Sequence, residues 1–191
     1  LDVRKPTGGD INRKSINLHH AIIIPDSFME LIDRATREEG FDDSWDLIDP
    51  HNGEVKKVIS AKTLWVKLIQ NRVETGEPYI MFGDTVNAKL PEFQKQLGLK
   101  VNQSNLCSEI TLPTNNDRTA VCCLSSVNLE KYDEWKDDDD FIPDLIRFLD
   151  NVLEYFIQNA PDSLAKAKYS ASQERSIGLG AMGFHAYLQK N

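Results

Sequence analysis

The chain has 191 residues, with 22 Lys and Arg against 30 Asp and Glu, which gives a formal net charge of −8 at pH 7. This acidic balance argues against a nucleic-acid binder, because contact with a phosphate backbone needs a basic face. The apolar runs are too short to span a bilayer, and three cysteines are too few for a secreted disulfide scaffold. We therefore expect a soluble, cytoplasmic globular protein that binds neither a membrane nor a nucleic-acid polymer.

The first half of the chain alternates between strand and helix patterns. An apolar strand runs up to Ile24 and is stopped by Pro25, and Asp26 is the predicted N-cap of the helix that follows. Ser60 is the predicted N-cap of a second helix, which ends at Gly76. A short strand over 78–82 and small helices up to residue 97 follow.

The second half continues this alternation. Residues 99–129 are predicted to form two strand-like segments in a hairpin-like arrangement, with a turn at NNDR. An acidic, solvated run then precedes the clearest helix of the chain, in which apolar residues recur at helical spacing over 141–157. Residues 169–176 are predicted to be a polar connector and 177–190 a final helix. The alternation indicates an α/β architecture.

Three glycines near the end of the chain match the glycine pattern of dinucleotide-binding sites. Gly178, Gly180 and Gly183 give G-x-G-x-x-G, but that fingerprint requires an apolar strand immediately before the first glycine. The preceding residues are the polar SASQERS. We therefore reject a dinucleotide site and interpret the glycines as small residues that let a helix pack closely against a neighbour.

The four histidines show no spacing typical of a metal site. His19 and His20 are neighbours in a predicted strand and point to opposite faces, while His51 lies in a turn and His185 in the last helix. We expect no metal in this segment.

The cysteines are the informative residues. If residues 105–109 are extended, Asn105, Cys107 and Glu109 project from one face, which would bring an amide, a thiol and a carboxylate together. The alternative is a half-buried strand in which Cys107 is a small apolar residue. Cys122 and Cys123 stand side by side in an apolar strand, where both could be core residues. Spacing alone leaves these alternatives open.

The sequences of several long segments resemble those of the catalytic large subunit of class I ribonucleotide reductase. These segments are INLHHAIIIPDSFMELI, NLCSEITLPT, TAVCCLSSVNL and YSASQERSIGLGAMGFHAYL, and they occur in the family's order over nearly the whole chain. Class II relatives typically carry Pro after the Asn and Gly after the Cys of the catalytic segment. Leu106 and Ser108 at these places therefore favour class I.

The resemblance implies the fold and the site. The fold would be part of a ten-stranded α/β barrel, incomplete in this chain, with residues 1–191 forming one domain segment, no separate second domain, and a finger loop around 102–112. Cys107 matches the cysteine that becomes a thiyl radical and abstracts hydrogen from C3′ of the ribose. Glu109 matches the base for the 3′-hydroxyl proton, and Asn105 the amide that orients the sugar hydroxyls. Cys122 matches one half of the redox-active disulfide, with its partner outside this chain.

The resemblance also implies partners and cofactors. The substrate would be a ribonucleoside diphosphate, and the radical would come from the metal cofactor of a separate small subunit. No cofactor is expected within this segment, and the ATP and deoxynucleotide effector sites should lie mostly outside it. The other partners would be the remaining segments of the large subunit and thioredoxin or glutaredoxin as reductant.

Two other readings of the sequence stay open. The chain begins at Leu1 and opens on a polar stretch, so it is expected to be a piece of something longer, such as a split, excised or trimmed segment. It could then be a non-catalytic complementation or interaction fragment of a split reductase. A cysteine hydrolase that uses Cys107 with a histidine is possible by residue type, although no nucleophile signature supports it.

Overall fold

The structure is a computed structural model that describes residues 1–190. The chain divides into two compact units, Leu1–Thr111 and Leu112–Asn191. The strands and α-helices of the first unit are β1 (Ala21–Ile24), α1 (Asp26–Arg37), β2 (Ser44–Ile48), β3 (Val55–Ser60), α2 (Ala61–Thr75), β4 (Tyr79–Phe82), α3 (Gly83–Ala88) and α4 (Glu92–Gln96). Those of the second unit are β5 (Cys123–Asn128), α5 (Tyr132–Trp135), α6 (Phe141–Asn159), α7 (Ala165–Glu174), β6 (Ile177–Met182) and α8 (Phe184–Lys190). Short 3₁₀ turns occupy Asp2–Arg4, Ile11–Arg13, Leu129–Lys131 and Asp162–Leu164.

The first unit is built on the parallel pair of β1 and β4. Their register aligns Ala21 with Tyr79, and the connection between them contains the antiparallel β2–β3 hairpin and the helices α1 and α2. The core lies where α1 and α2 meet β1, around Ile24, Phe28 and Leu68. Burial of these apolar side chains holds both helices on the strand pair.

The predicted helix boundaries of this unit are largely confirmed. The hydroxyl of Ser60 accepts the N–H of Thr63 at 3.0 Å, and Gly76 ends α2 in the left-handed conformation, with φ 76°. The prediction for Asp26 is wrong, because Pro25 occupies the N-cap position and Asp26 is already helical. The N–H of Asp26 instead donates to the carboxylate of Asp84, at 2.8 Å, so the start of α1 is capped by a residue of α3.

The second unit is built on the parallel pair of β5 and β6. The register aligns Cys123 with Ile177 and Asn128 with Met182, and α6 packs on both strands. The predicted hairpin over residues 99–129 is therefore wrong, because residues 99–122 form no strand and β5 pairs with β6. A parallel pair needs a long crossover, here through α6 and α7, and apolar patterning does not specify so distant a partner.

The end of the chain also differs from the prediction. Most of the predicted connector belongs to α7, and the predicted final helix is strand β6 followed by α8. Gly178 and Gly180 lie within β6, in register with Leu124 and Ser126 of the neighbouring strand β5. A Cβ on Gly178 would come within 2.6 Å of the Leu124 side chain, so the glycines do permit close packing, but between strands.

None of the sheets within residues 1–190 closes on itself, since each consists of two strands. This mixed helix and strand arrangement agrees with the prediction of an incomplete α/β barrel. No helix in the described part of the chain is long and apolar enough to cross a membrane.

Candidate active site

Residues 104–110 form a closed loop, called here the cysteine loop. The hydroxyl of Ser104 donates to the carbonyl of Ile110, at 2.7 Å, and this bond joins the two ends of the loop. Cys107 lies at the tip and is exposed. The loop therefore presents a thiol on a short, hydrogen-bonded projection of the first unit.

The tip of the cysteine loop is a tight turn. The side-chain oxygen of Asn105 accepts the N–H of Cys107 at 2.9 Å, and the carbonyl of Asn105 accepts the N–H of Ser108 at 3.1 Å. Ser108 has φ 64°, in the left-handed region. The predicted extended conformation of residues 105–109 is therefore wrong, because the Asn105 side chain offers the backbone a local partner that favours a turn.

The three predicted site residues lie in and next to this turn. The N–H of Glu109 donates to the carbonyl of Cys107 at 2.7 Å, while Asn105 bonds the Cys107 backbone from the other side. All three residues are exposed to solvent. A thiol that can be oxidised, a carboxylate that can accept a proton and an amide that can bind hydroxyls thus share one loop.

The root of the cysteine loop is fixed by a residue that the sequence patterns did not reveal. Asn87, on α3, accepts the N–H of Val101 at 2.9 Å and donates to the carbonyl of Val101 at 3.0 Å. Val101 is 2% exposed and packs with Met81 and Leu90. No sequence pattern distinguishes an asparagine with this role from any other asparagine in a six-residue helix.

The other two cysteines lie in the second unit and differ in their surroundings. Cys122 is exposed and immediately precedes β5, so it is outside the strand in which the sequence placed it. Cys123 is the first residue of β5 and is half-buried. Burial, with a smaller contribution from the neighbouring Cys122, raises the pKa of the Cys123 thiol. The two neighbours are therefore chemically distinct.

One of the histidines pairs with a carboxylate. His19 hydrogen-bonds the buried carboxylate of Glu77, with 2.7 Å between Nδ1 and Oε1. Within residues 1–190, no group of three or more His, Cys, Asp or Glu side chains could hold a metal ion.

Comparison with known proteins identifies the family. The family model described as the ribonucleotide reductase barrel domain matches residues 1–191. The ribonucleoside-diphosphate reductase large subunit of Invertebrate iridescent virus 3 is 45% identical over 236 residues, which cover 99% of this chain and 37% of the viral protein. A Frog virus 3 protein named for the same subunit is 50% identical over 194 residues, which cover 100% of this chain and 33% of that protein.

Comparison with solved structures gives the same family. The class Id ribonucleotide reductase alpha subunit of Actinobacillus ureae superposes with a TM-score of 0.76 at 34% identity, over 100% of this chain and 32% of that one. The chain thus spans about a third of the length of the relatives it matches. The resemblance drawn from the sequence is confirmed: the chain belongs to the ribonucleotide reductase barrel-domain family and corresponds to a segment of the large subunit.

Proposed function

We propose that this chain supplies the catalytic cysteine loop of a class I ribonucleotide reductase large subunit, which reduces ribonucleoside diphosphates to deoxyribonucleoside diphosphates. The observation that carries the proposal is the exposed thiol of Cys107 on a closed loop, with Asn105 and Glu109 in the same turn. The names of the viral relatives support the substrate class.

Cys107 is proposed to act as a thiyl radical. This radical forms by radical transfer from a separate small subunit, whose own radical is reduced in the process. The thiyl takes the hydrogen atom from C3′ of the ribose, and an S–H bond forms as the C–H bond breaks. The two bonds are close enough in strength for the transfer to be reversible. Glu109 accepts the 3′-hydroxyl proton, and Asn105 binds the sugar hydroxyls so that C3′ faces the sulfur.

Cys122 is proposed to complete the reduction. The 2′-hydroxyl leaves as water, and two electrons and two protons come from Cys122 and a second cysteine outside this chain, which become a disulfide. The hydrogen atom held by Cys107 then returns to C3′, and the thiyl is regenerated. A dithiol protein of the thioredoxin or glutaredoxin class would reset the disulfide by exchange.

The test uses a complete large subunit that carries this segment, assayed with its small subunit and a ribonucleoside diphosphate. Cys107→Ser should abolish turnover, because an O–H bond is too strong to be cleaved by the radical relay. Glu109→Gln should lower turnover strongly while keeping the shape of the loop. Unchanged thermal unfolding of both variants would show that the loss is chemical. Substantial turnover by Cys107→Ser would overturn the proposal.

The alternative that the sequence left open is a fragment of a split reductase. In this case the 191 residues act as a complementation fragment, which has no activity until the other segments of the subunit bind. Mixing the chain with those segments and the small subunit should then restore turnover. Turnover by the chain with the small subunit alone would contradict this candidate.

A further inference from the structure

The segment that carries Cys107 has no helix or strand of its own. Residues 99–122 lie outside regular secondary structure, so no backbone ladder fixes the position of the cysteine loop. Besides the Asn105 turn, side-chain bonds in the first part of this segment include those of Ser104 to Ile110 and of Asn87 to Val101. The first closes the loop internally, whereas the second attaches the loop to α3.

The Asn87 amide acts on Val101 as a neighbouring strand would. It accepts from the N–H and donates to the C=O of the same residue, and its Nδ2 also donates to the carbonyl of Gly83 at 2.9 Å. Gly83 follows β4 directly, and a Cβ there would lie 2.8 Å from Ile23 of β1. A short chain of contacts therefore runs from the β1–β4 pair through Asn87 to the root of the cysteine loop.

We propose that Asn87 is a positioning residue for Cys107, acting through Val101 to set where the cysteine loop stands relative to the bound ribose. This inference rests on the proposed function. Helix α3 does not need the asparagine, because alanine has a higher helix propensity than asparagine. Loss of the amide should therefore leave the fold in place and release the root of the loop.

The required precision gives the expected size of the effect. Hydrogen transfer between sulfur and C3′ depends on the separation of the two atoms, and a misplacement of about 1 Å can cost on the order of a hundredfold in rate. In the complete large subunit, Asn87→Ala should therefore lower kcat by about tenfold to a hundredfold, with KM changed less than about twofold. The deuterium isotope effect with a 3′-deuterated substrate should rise, because hydrogen abstraction becomes more fully rate-limiting.

The experiment compares Asn87→Ala and Asn87→Asp with Asn151→Ala, an exposed asparagine of α6. Asn87→Asp has nearly the same volume and keeps the acceptor for the Val101 N–H, but it loses both donations and places a negative charge beside two carbonyls. Both Asn87 variants should lose kcat and show faster amide hydrogen exchange in 101–110, while Asn151→Ala should match the unaltered enzyme. If Asn87→Ala does not fold, Asn87→Asp is judged by the same criteria.

Three outcomes would overturn the inference: kcat within about twofold of the unaltered enzyme, a loss of kcat without a rise in the isotope effect, or failure of both variants to fold. Failure of the proposed function is a separate result, since it would appear as activity in Cys107→Ser or as absent turnover in the unaltered enzyme. An active enzyme that depends on Cys107 but tolerates both Asn87 variants would refute the positioning role alone.

Discussion

Arg118 and Glu174 form an ion pair with 2.9 Å between Nη1 and Oε1, and their side chains are only 10% and 6% exposed. The guanidinium also lies 5.1 Å from the ring centre of Tyr169, and the N–H of Thr119 donates to the carbonyl of Lys166 at 3.3 Å. These contacts fasten the irregular segment before Cys122 to α7. The segment that leads to Cys122, the predicted redox thiol, is thus held in place by a buried ion pair.

Arg118→Ala should be strongly destabilising. Removal of one partner of a buried ion pair leaves the other charge unpaired, which typically costs about 3 kcal/mol of unfolding free energy or more. Arg147→Ala is a suitable control, because its pair with Asp144 is exposed and should contribute little. Denaturant unfolding of a complete large subunit that carries this segment checks both variants. Equal stability of the two would contradict the prediction.

The cost of Arg118→Ala should depend on pH. Burial raises the pKa of the Glu174 carboxyl, and the bond from Arg118 opposes this rise. When folding raises the pKa of a carboxyl group, the resulting stabilisation is present at pH values below the pKa of the unfolded state. It is lost as the pH rises through the pKa of the folded state. Without Arg118 the pKa should rise further, so the destabilisation should be smaller at about pH 5 than at about pH 7. The same penalty at both pH values would show that Glu174 stays ionised.

Cys122 and Cys123 should differ in function although they are neighbours. In the complete enzyme, Cys122→Ser should block multiple turnovers with a dithiol reductant, whereas Cys123→Ser should remain active with a modest loss of stability. Peptide mapping after one turnover without reductant checks the assignment. A disulfide at Cys123 instead of Cys122 would mean that the assignment is off by one residue.

The same two cysteines should differ in alkylation rate. The thiolate is the reactive form, and the raised pKa of Cys123 lowers its thiolate fraction at a given pH. At about pH 8, iodoacetamide should therefore modify the exposed Cys107 and Cys122 before the half-buried Cys123. Mass spectrometry of quenched time points measures the order. Modification of Cys123 first would contradict the prediction.

The 191-residue chain made on its own should self-associate. Phe148, Val152 and Tyr155 on α6 are 63%, 41% and 70% exposed, and they follow one another at helical spacing. The two-stranded sheets also leave strand edges that can pair with other chains. Sedimentation velocity should show concentration-dependent species that Phe148→Ser combined with Tyr155→Ser reduces. A monodisperse monomer with cooperative unfolding would contradict the prediction.

The sequence by itself determined the features that depend on near neighbours. The cap at Ser60, the stop at Gly76 and the long helix α6 follow from side chains within about one turn of each other. The sequence around Cys107 indicated the family, because several long segments matched the same family in the same order. That family assignment did not require any knowledge of how the segments pack.

Only the tertiary structure decided the features that join distant residues. The pairing of β5 with β6 links residues about fifty positions apart, and glycines that are compatible with a helix were placed in a strand by contact with Leu124 and Ser126. The Asn105 turn and the clamp of Asn87 on Val101 depend on which backbone groups lie within hydrogen-bond reach. Periodicity reports which face of an element is apolar, but it does not report which partner that face or a free backbone group will meet.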